Sequence, residues 1–454
     1  MPICIQHLLY TLLYYLLTPF LFLRLLIKHR NSSAYKGERQ SLRLAERLGL
    51  FKKPGFRSNS DISLRESFQA PVWIHTVSVG EFLASLPLIN SLMQEAPQHP
   101  LVITCTTTTG SAQIMKTYAQ EITQGRIFHV YLPYDLPGSM RRFLQKIRPC
   151  LGIVMETEIW PNLLTVVRQA GIPVWLLNAR MSARSAKGYA RFKTLTKSSL
   201  QKFTGIAAQD ALDARRLKEL GAKDDTLHIS GSIKFDLKIA ARDIEAGKVL
   251  RGQLYWQEKI VLMAASTHKG EDEILLEIYQ QLKSQYPNLV MIVVPRHPER
   301  FQTVYQLLIN SNNKVTKRSQ VNGEIQQPVD ILLGDSMGEM IRYFSCADLV
   351  FMGGTMVPTG GHNILEPAAL GLPIVYGPHI FNFYAINELF MQYQAAQQVA
   401  DSDTLQQVLH ELLADEKRAG EMGERARQLI EQNSGALDKM MTLLKPYLEL
   451  PKLS

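Results

Sequence analysis

The sequence predicts an α/β protein of two Rossmann-like, doubly wound domains facing a cleft, preceded by an apolar anchor helix. Three observations carry this expectation. The chain has 454 residues, too many for one ordinary domain. Short apolar runs alternate with helical stretches, break off over residues 237–257 and then resume, a pattern of parallel strands with crossover helices. Acidic residues or glycine-rich turns follow directly on several of these runs, where open α/β sheets bind ligands.

Residues 8–27 are nearly all Leu, Tyr, Phe and Ile, with one charge at Arg24. About 20 helical residues suffice to cross a hydrocarbon core. Pro19 and Arg24 leave two readings open, a span or a helix lying in the interface. The charges follow the apolar run instead of preceding it, so a cleaved signal peptide is not expected. Over residues 24–57 there are ten basic residues (Arg24, Lys28, Arg30, Lys36, Arg39, Arg43, Arg47, Lys52, Lys53 and Arg57) against Glu38 and Glu46. Basic residues beside an apolar helix read as a surface for anionic lipids and keep the body in the cytoplasm. Residues 1–30 are thus expected to be a membrane anchor and 31–70 a basic, membrane-proximal segment.

The composition, 46% hydrophobic and 20% charged, suits a globular chain. The net charge of +9 would also suit a nucleic-acid or scaffold protein. That reading explains neither the carboxylates at strand ends nor the glycine-rich turn, and no nucleic-acid partner is expected. Cys4, Cys105, Cys150 and Cys346 form no Cys-x-x-Cys pair, which excludes a zinc motif and a disulfide framework and agrees with a reducing compartment.

The first domain is expected over 71–236, with strands at 72–77, 101–105, 127–131, 151–155, 174–177, 205–208 and 227–229. Helices are expected at 81–93, 111–120, 162–170 and 182–202, among others. Residues 237–257 read as a linker. The second domain, 258–454, has strands at 260–265, 289–294, 331–333, 349–352 and 374–376. Its helices are expected at 272–285, 299–310, 338–346 and 363–370, with consecutive helices from 403 to 448.

Glu81 closes the run His75-Thr76-Val77-Ser78-Val79-Gly80-Glu81, and Glu156 lies in Met155-Glu156-Thr157-Glu158-Ile159-Trp160-Pro161-Asn162. Carboxylates there suit proton transfer or charge stabilisation. Glu81 reads equally as a first-turn glutamate complementing a helix dipole, which would keep it ionised. Glu158, two residues from Glu156, would share its side of an extended chain. Downstream, Gly360-Gly361-His362-Asn363-Ile364-Leu365-Glu366-Pro367 reads as a glycine turn into a helix capped by Asn363, with Glu366 completing a capping box. Such a helix start favours a phosphate, although a turn and cap without a ligand fit the same residues. His268, His297 and His362 lack metal-ligand spacing.

Glu366-Pro367-Ala368-Ala369-Leu370-Gly371-Leu372-Pro373 resembles the donor-binding run of GT-B glycosyltransferases. The whole chain resembles the 3-deoxy-D-manno-octulosonic acid (Kdo) transferases of lipopolysaccharide synthesis. Matching runs in the first half are Ser78-Val79-Gly80-Glu81, Leu132-Pro133-Tyr134-Asp135, Met155 to Asn162 as above, Asn178-Ala179-Arg180-Met181-Ser182 and Gly231-Ser232-Ile233-Lys234-Phe235-Asp236. In the second they are Ser266-Thr267-His268, Pro295-Arg296-His297-Pro298-Glu299-Arg300, Gly334-Asp335-Ser336-Met337-Gly338-Glu339 and Gly360-Gly361-His362-Asn363. The polar stretch 51–70 is longer than the family usually carries.

The resemblance implies GT-B architecture and inverting, metal-independent transfer of Kdo from CMP-Kdo to a lipid A precursor, with no cofactor. It makes 71–236 the acceptor-binding domain and 258–454 the donor-binding one. Glu81 would be the general base, and Glu156 and Lys234 transition-state stabilisers. Donor contacts would fall on Pro295, Arg296, Met337, Gly338, Glu339, Asn363, Ile364, Leu365 and Glu366. Acceptor contacts would include Ser78 and Gly80. A same-fold alternative acts on another nucleotide sugar, as a transferase or an epimerase. Seven basic residues and no acidic one lie between 180 and 202; Arg180, Arg184 and Lys187 read either as a solvated helix face or as a platform for acceptor phosphates.

Overall fold

The structure, a computed structural model, describes residues 5–31, 43–56, 69–237, 239–323, 325 and 327–449. Cys4, Lys36, Arg39, Arg57 and residues 57–68 of the polar stretch lie outside the described residues. The chain divides into two compact units, Met1–Asp236 with Gly435–Ser454, and Leu237–Ser434.

Seven strands make the sheet of the first unit: β1 (Val72–His75), β2 (Leu101–Cys105), β3 (Ile127–Tyr131), β4 (Leu151–Met155), β5 (Val174–Ala179), β6 (Gly205–Ala208) and β7 (Leu227–Ile229). All pair in parallel, in the order β3-β2-β1-β4-β5-β6-β7. Helices cover both faces, so β1, β2 and β4 are buried throughout and read as continuous apolar runs. The order reverses between β1 and β4. The loops leaving these two neighbours are therefore adjacent, at the switch point where such sheets bind ligands.

The second unit repeats the plan with β8 (Ile260–Thr267), β9 (Leu289–Pro295), β10 (Val315–Lys317), β11 (Ile331–Leu333), β12 (Leu349–Met352), β13 (Ile374–Tyr376) and β14 (Gln397–Gln398). Their order is β10-β11-β9-β8-β12-β13-β14, with the switch between β8 and β12. β10 and β14 were not expected from the sequence. Both are edge strands of two or three residues, formed because a neighbour offers unpaired backbone groups.

Residues 237–257 are not a free linker. Ala241–Gln253 is a helix of the second unit, packed at Gly247 against Met340–Phe344 and Ser345. A Cβ at Gly247 would lie 2.4 Å from Ser345 Cβ and 2.6 Å from the Arg342 carbonyl oxygen. Nor does the second domain run to 454. The helix Ala436–Leu448 buries Leu437, Met440, Met441 and Leu444 in the core of the first unit with Ile74 and Phe82. Asp236 fixes that return by accepting from Gly435 and Leu437 N–H. Residues 182–202 form two helices, Ala183–Ala190 and Lys193–Leu200, broken at Arg191 and Phe192.

The apolar N-terminal segment is the helix Ile5–Asn31. Its stretch Ile5–Ile27 is apolar and long enough to cross a membrane, and is only 6% buried. Polar side chains tie its first turns to the first unit. His7 Nε2 and Thr11 Oγ1 each lie 2.8 Å from Asn162 Oδ1, and Tyr10 donates to Asp135 at 2.8 Å. Two of the basic residues expected at a lipid surface face inward instead. Arg47 is buried, stacks 4.1 Å from the Tyr131 ring and donates to Thr106 O; Arg43 donates to His129 O and pairs with Glu46.

Candidate active site

Each unit gathers candidate site residues at its switch point. In the first, β1 ends at His75 and the helix Val79–Glu95 begins after Ser78, its N-cap. Glu81 is in the first turn. Its Oε2 accepts from Val77 N–H at 2.7 Å and its Oε1 from the Ser78 hydroxyl at 3.3 Å. Burial raises its pKa to about 7, with Val77 pulling down and the charges of Glu156 and Glu158 pushing up. The dipole therefore does not hold Glu81 fully ionised as expected: desolvation wins over it. A carboxylate poised near neutrality matches what a general base needs. A side chain at Gly80 would meet only Ser78 Oγ, at 3.8 Å, so the protein's own packing does not require glycine there.

Beside it, β4 runs into Glu156, whose φ of +59° is in the left-handed region. A non-glycine residue there costs about 1–3 kcal/mol. Its N–H and C=O are pinned by Leu177 and Arg180. The turn aims the carboxylate at Lys234, with Oε1 3.8 Å from Nζ. It also breaks the extended geometry expected over Glu156–Glu158. Glu158 accepts instead from Trp160 Nε1 at 2.5 Å, and burial raises its pKa.

Lys234 is on the 3-10 turn Ile233–Phe235, held by the Ile233 N–H donating to Asn178 Oδ1 at 3.2 Å. Asn178, the penultimate residue of β5, has φ +51°. Behind Glu158, the buried Asp135 carboxylate accepts from Asn162 and Leu163 N–H at 3.0 and 2.7 Å. Burial lifts its pKa to about 6. Asp135 and Asn178 stand in runs the sequence reading quoted, without a role. Their function as braces depends on contacts 27 and 55 residues away, which spacing does not reveal. Arg180, Arg184 and Lys187 are exposed, as both the platform and the solvated-face readings require.

In the second unit the loops after β8 and β12 approach closely. A Cβ at Gly353 would lie 2.7 Å from Ser266 O, and Ser266 itself has φ +56°. Glu271, fully buried, locks the two loops together. It accepts from His268 and Gly354 N–H at 2.8 and 2.7 Å, and from Thr355 and Met356 N–H at 2.9 Å each. It lies outside every run the sequence reading used; its position three residues after His268 was the available signal.

His268 and His362 stack with Nε2 atoms 2.9 Å apart, and His297 meets His268 edge-on. Burial, then Arg296, lowers the His362 pKa to about 4, so the pair is neutral at pH 7. Among the described residues no cluster of three or more His, Cys, Asp or Glu is placed to hold a metal ion.

Pro295 ends β9 and Arg296 follows it, exposed, its N–H on Thr267 O. Met337 is 66% exposed and Gly338 has φ +81°. Glu339 is held by Arg318, Arg342 and the Ser336 hydroxyl. The helix expected from Asn363 is shorter. It spans Leu365–Ala369 with Ile364 at its N-cap and no side-chain cap, because Asn363 Oδ1 turns to Leu365 N–H at 3.2 Å. Five residues make no phosphate-binding dipole site. Ile364 and Leu365 are core residues and can offer a ligand only backbone atoms. Glu366 makes no hydrogen bond among the described residues, and burial raises its pKa.

Two parallel seven-stranded sheets, each with its loops gathered at a switch point, define a GT-B-like fold, and the sequence comparisons make it a glycosyltransferase. A model described as "Glycosyl transferases group 1" matches residues 255–429. A glycosyltransferase structure from Rickettsia africae has the same fold, with a TM-score of 0.51 over 85% of this chain and all of that one at 14% identity. A model described as "3-Deoxy-D-manno-octulosonic-acid transferase (kdotransferase)" matches residues 42–237. The 3-deoxy-D-manno-octulosonic acid transferase of Haemophilus influenzae is 38% identical over 91% of this chain and 93% of its own length. That of Bordetella pertussis is 34% identical over 84% and 88%. The chain belongs to the Kdo transferase family.

Proposed function

We propose that this Kdo transferase moves Kdo from CMP-Kdo to lipid IVA, a lipid A precursor, with inversion and without a metal, at the cytoplasmic face of the inner membrane. The observation that carries the reading is the pairing at the first switch point. A base-like Glu81, its pKa near 7, follows β1, and a Glu156–Lys234 pair follows β4.

In this reading an acceptor hydroxyl attacks the anomeric carbon of Kdo and gives its proton to Glu81. The bond from that carbon to the phosphate oxygen breaks, and CMP leaves with the electron pair. A single displacement inverts the centre. Glu156 faces the positive charge of an oxocarbenium-like transition state, and Lys234 the negative charge on the departing phosphate. The open position at Gly80 leaves room for the acceptor beside Ser78. Donor binding falls to Pro295, Arg296, Met337, Gly338, Glu339 and 363–366. Arg296 suits a phosphate, the backbone near Ile364 and Leu365 the nucleotide, and the unpaired Glu366 a ribose hydroxyl. Arg180, Arg184 and Lys187 supply cations for acceptor phosphates and anionic lipids.

The test is a chelator-treated assay of the full chain with lipid IVA and CMP-Kdo, products weighed by mass spectrometry. Addition of Kdo by the wild type, lost in Glu81→Gln, is expected, and the product mass gives the number added. Loss of activity on chelation, or no addition by folded wild type, would overturn the metal-independent or the acceptor reading respectively.

A further inference from the structure

Between the N-terminal helix and the helices Ala183–Ala190 and Lys193–Leu200 lies a cavity of about 760 Å³. One wall is Leu9, Tyr10 and Leu13. The opposite wall includes Gly188, Phe192 and Leu195. Ile159 and Pro161, from the loop that carries Glu156 and Glu158, also line it.

Apart from Arg191, the lining is largely apolar because its polar groups are spent inside the protein. Tyr10 bonds Asp135, Thr196 bonds Tyr189 O, Ser199 bonds Leu195 O, and Gln6 accepts from Leu195 N–H. A guest meets hydrocarbon there. Arg191, also on the lining, makes no side-chain hydrogen bond or ion pair among the described residues, and Arg184 and Lys187 are exposed on the neighbouring helix. The wall formed by the N-terminal helix is itself more than half exposed at Leu9 and Leu13, on a segment apolar enough to lie in lipid.

We propose that this cavity takes an acyl chain of the lipid acceptor. The proposal rests on the lipid-acceptor reading above. An apolar slot, cations beside it and a shared loop with Glu156 match an amphiphile with anionic groups next to its chains. Bulk phospholipid would gain the same slot, but the position against the catalytic loop favours the substrate. Tyr189 strengthens that link by donating to Thr157 O at 3.2 Å. The N-terminal helix then does more than attach the protein: it forms one side of the acceptor site.

Gly188 offers the test, because a Cβ there meets nothing within 4 Å and glycine is a poor helix residue. Gly188→Phe fills the cavity without crowding the fold. The full chain would be assayed with lipid IVA and with its fully deacylated, water-soluble form. We expect a KM for lipid IVA raised about tenfold or more, with KM for the deacylated acceptor and for CMP-Kdo unchanged. Equal shifts for both acceptors, or none for lipid IVA, would overturn the proposal.

A second arm needs no turnover, so it separates this proposal from the reaction itself. Lipid IVA bearing a diazirine on an acyl chain should label the cavity walls, within residues 6–13, 159–161 or 185–199, and less so in Gly188→Phe. Labelling elsewhere would overturn the proposal. A diazirine phospholipid that labels the cavity and resists competition by lipid IVA would assign the slot to bulk lipid and overturn it as well.

Discussion

In the first unit Glu81, Glu156 and Glu158 share one neighbourhood, and Lys234 lies 3.8 Å from Glu156. In the second, Glu271 takes four backbone N–H groups and Glu339 two arginines. The first arrangement leaves negative charge under-compensated, with Glu81 pushed toward neutrality and Glu156 on a strained backbone. The second is satisfied, its loops tied together through Glu271. On the proposed function, one fold used twice supplies a reactive half and a binding half.

The comparison breaks if the two halves respond alike to loss of a carboxylate. Glu81→Gln is expected to lower kcat about 10²–10⁴-fold and leave the CMP-Kdo KM alone. Lys234→Ala should lower kcat about 10²–10³-fold, as loss of one electrostatic stabiliser does. Glu271→Gln should behave oppositely. An amide presents an N–H₂ group to backbone donors, leaving some unpaired at about 1–3 kcal/mol. The donor KM should then rise about tenfold or more, with the acceptor KM and the pH profile unmoved. A kcat loss as large as that of Glu81→Gln would erase the distinction between the halves.

The pH profile sharpens it further. With Glu81 near 7, kcat/KM at limiting acceptor should rise with pH through about 7 as the base loses its proton. The stability effect has the other sign. The folded pKa lies above the ordinary glutamate value, so the native state binds the extra proton between them. Its contribution is present at low pH and is lost as pH rises through about 7. Glu81→Gln should therefore melt higher than wild type above pH 7 and gain less below pH 5. The smallest effect is expected at the exposed platform. Arg184→Glu with Lys187→Glu should raise the lipid IVA KM a few-fold, less at high salt, and leave the donor KM unchanged.

Much of this was legible because parallel strands buried on both faces leave uninterrupted apolar runs. β1 to β6, β8, β9 and β11 to β13 announced themselves that way, and Glu81, Glu156 and the glycine turns stood at their ends; β7, expected too, is a half-exposed edge strand. Local sequence did not reveal the edges β10 and β14, whose pairing is imposed by a neighbour. It misjudged Asn363, since whether a side chain caps a helix depends on where the chain has arrived.

The sequence by itself determined two parallel α/β units, the apolar N-terminal helix and the membership of the family, because all three rest on local periodicity and contiguous runs. The tertiary structure alone decided that Ala436–Leu448 returns to the first core and that Ala241–Gln253 belongs to the second unit. It also decided that Glu271 ties two loops 83 to 85 residues apart. Desolvation raises Glu81 and charge arrives beside Glu156 from Lys234, 78 positions on. Burial and through-space charge depend on the packed chain, and no window of sequence contains them.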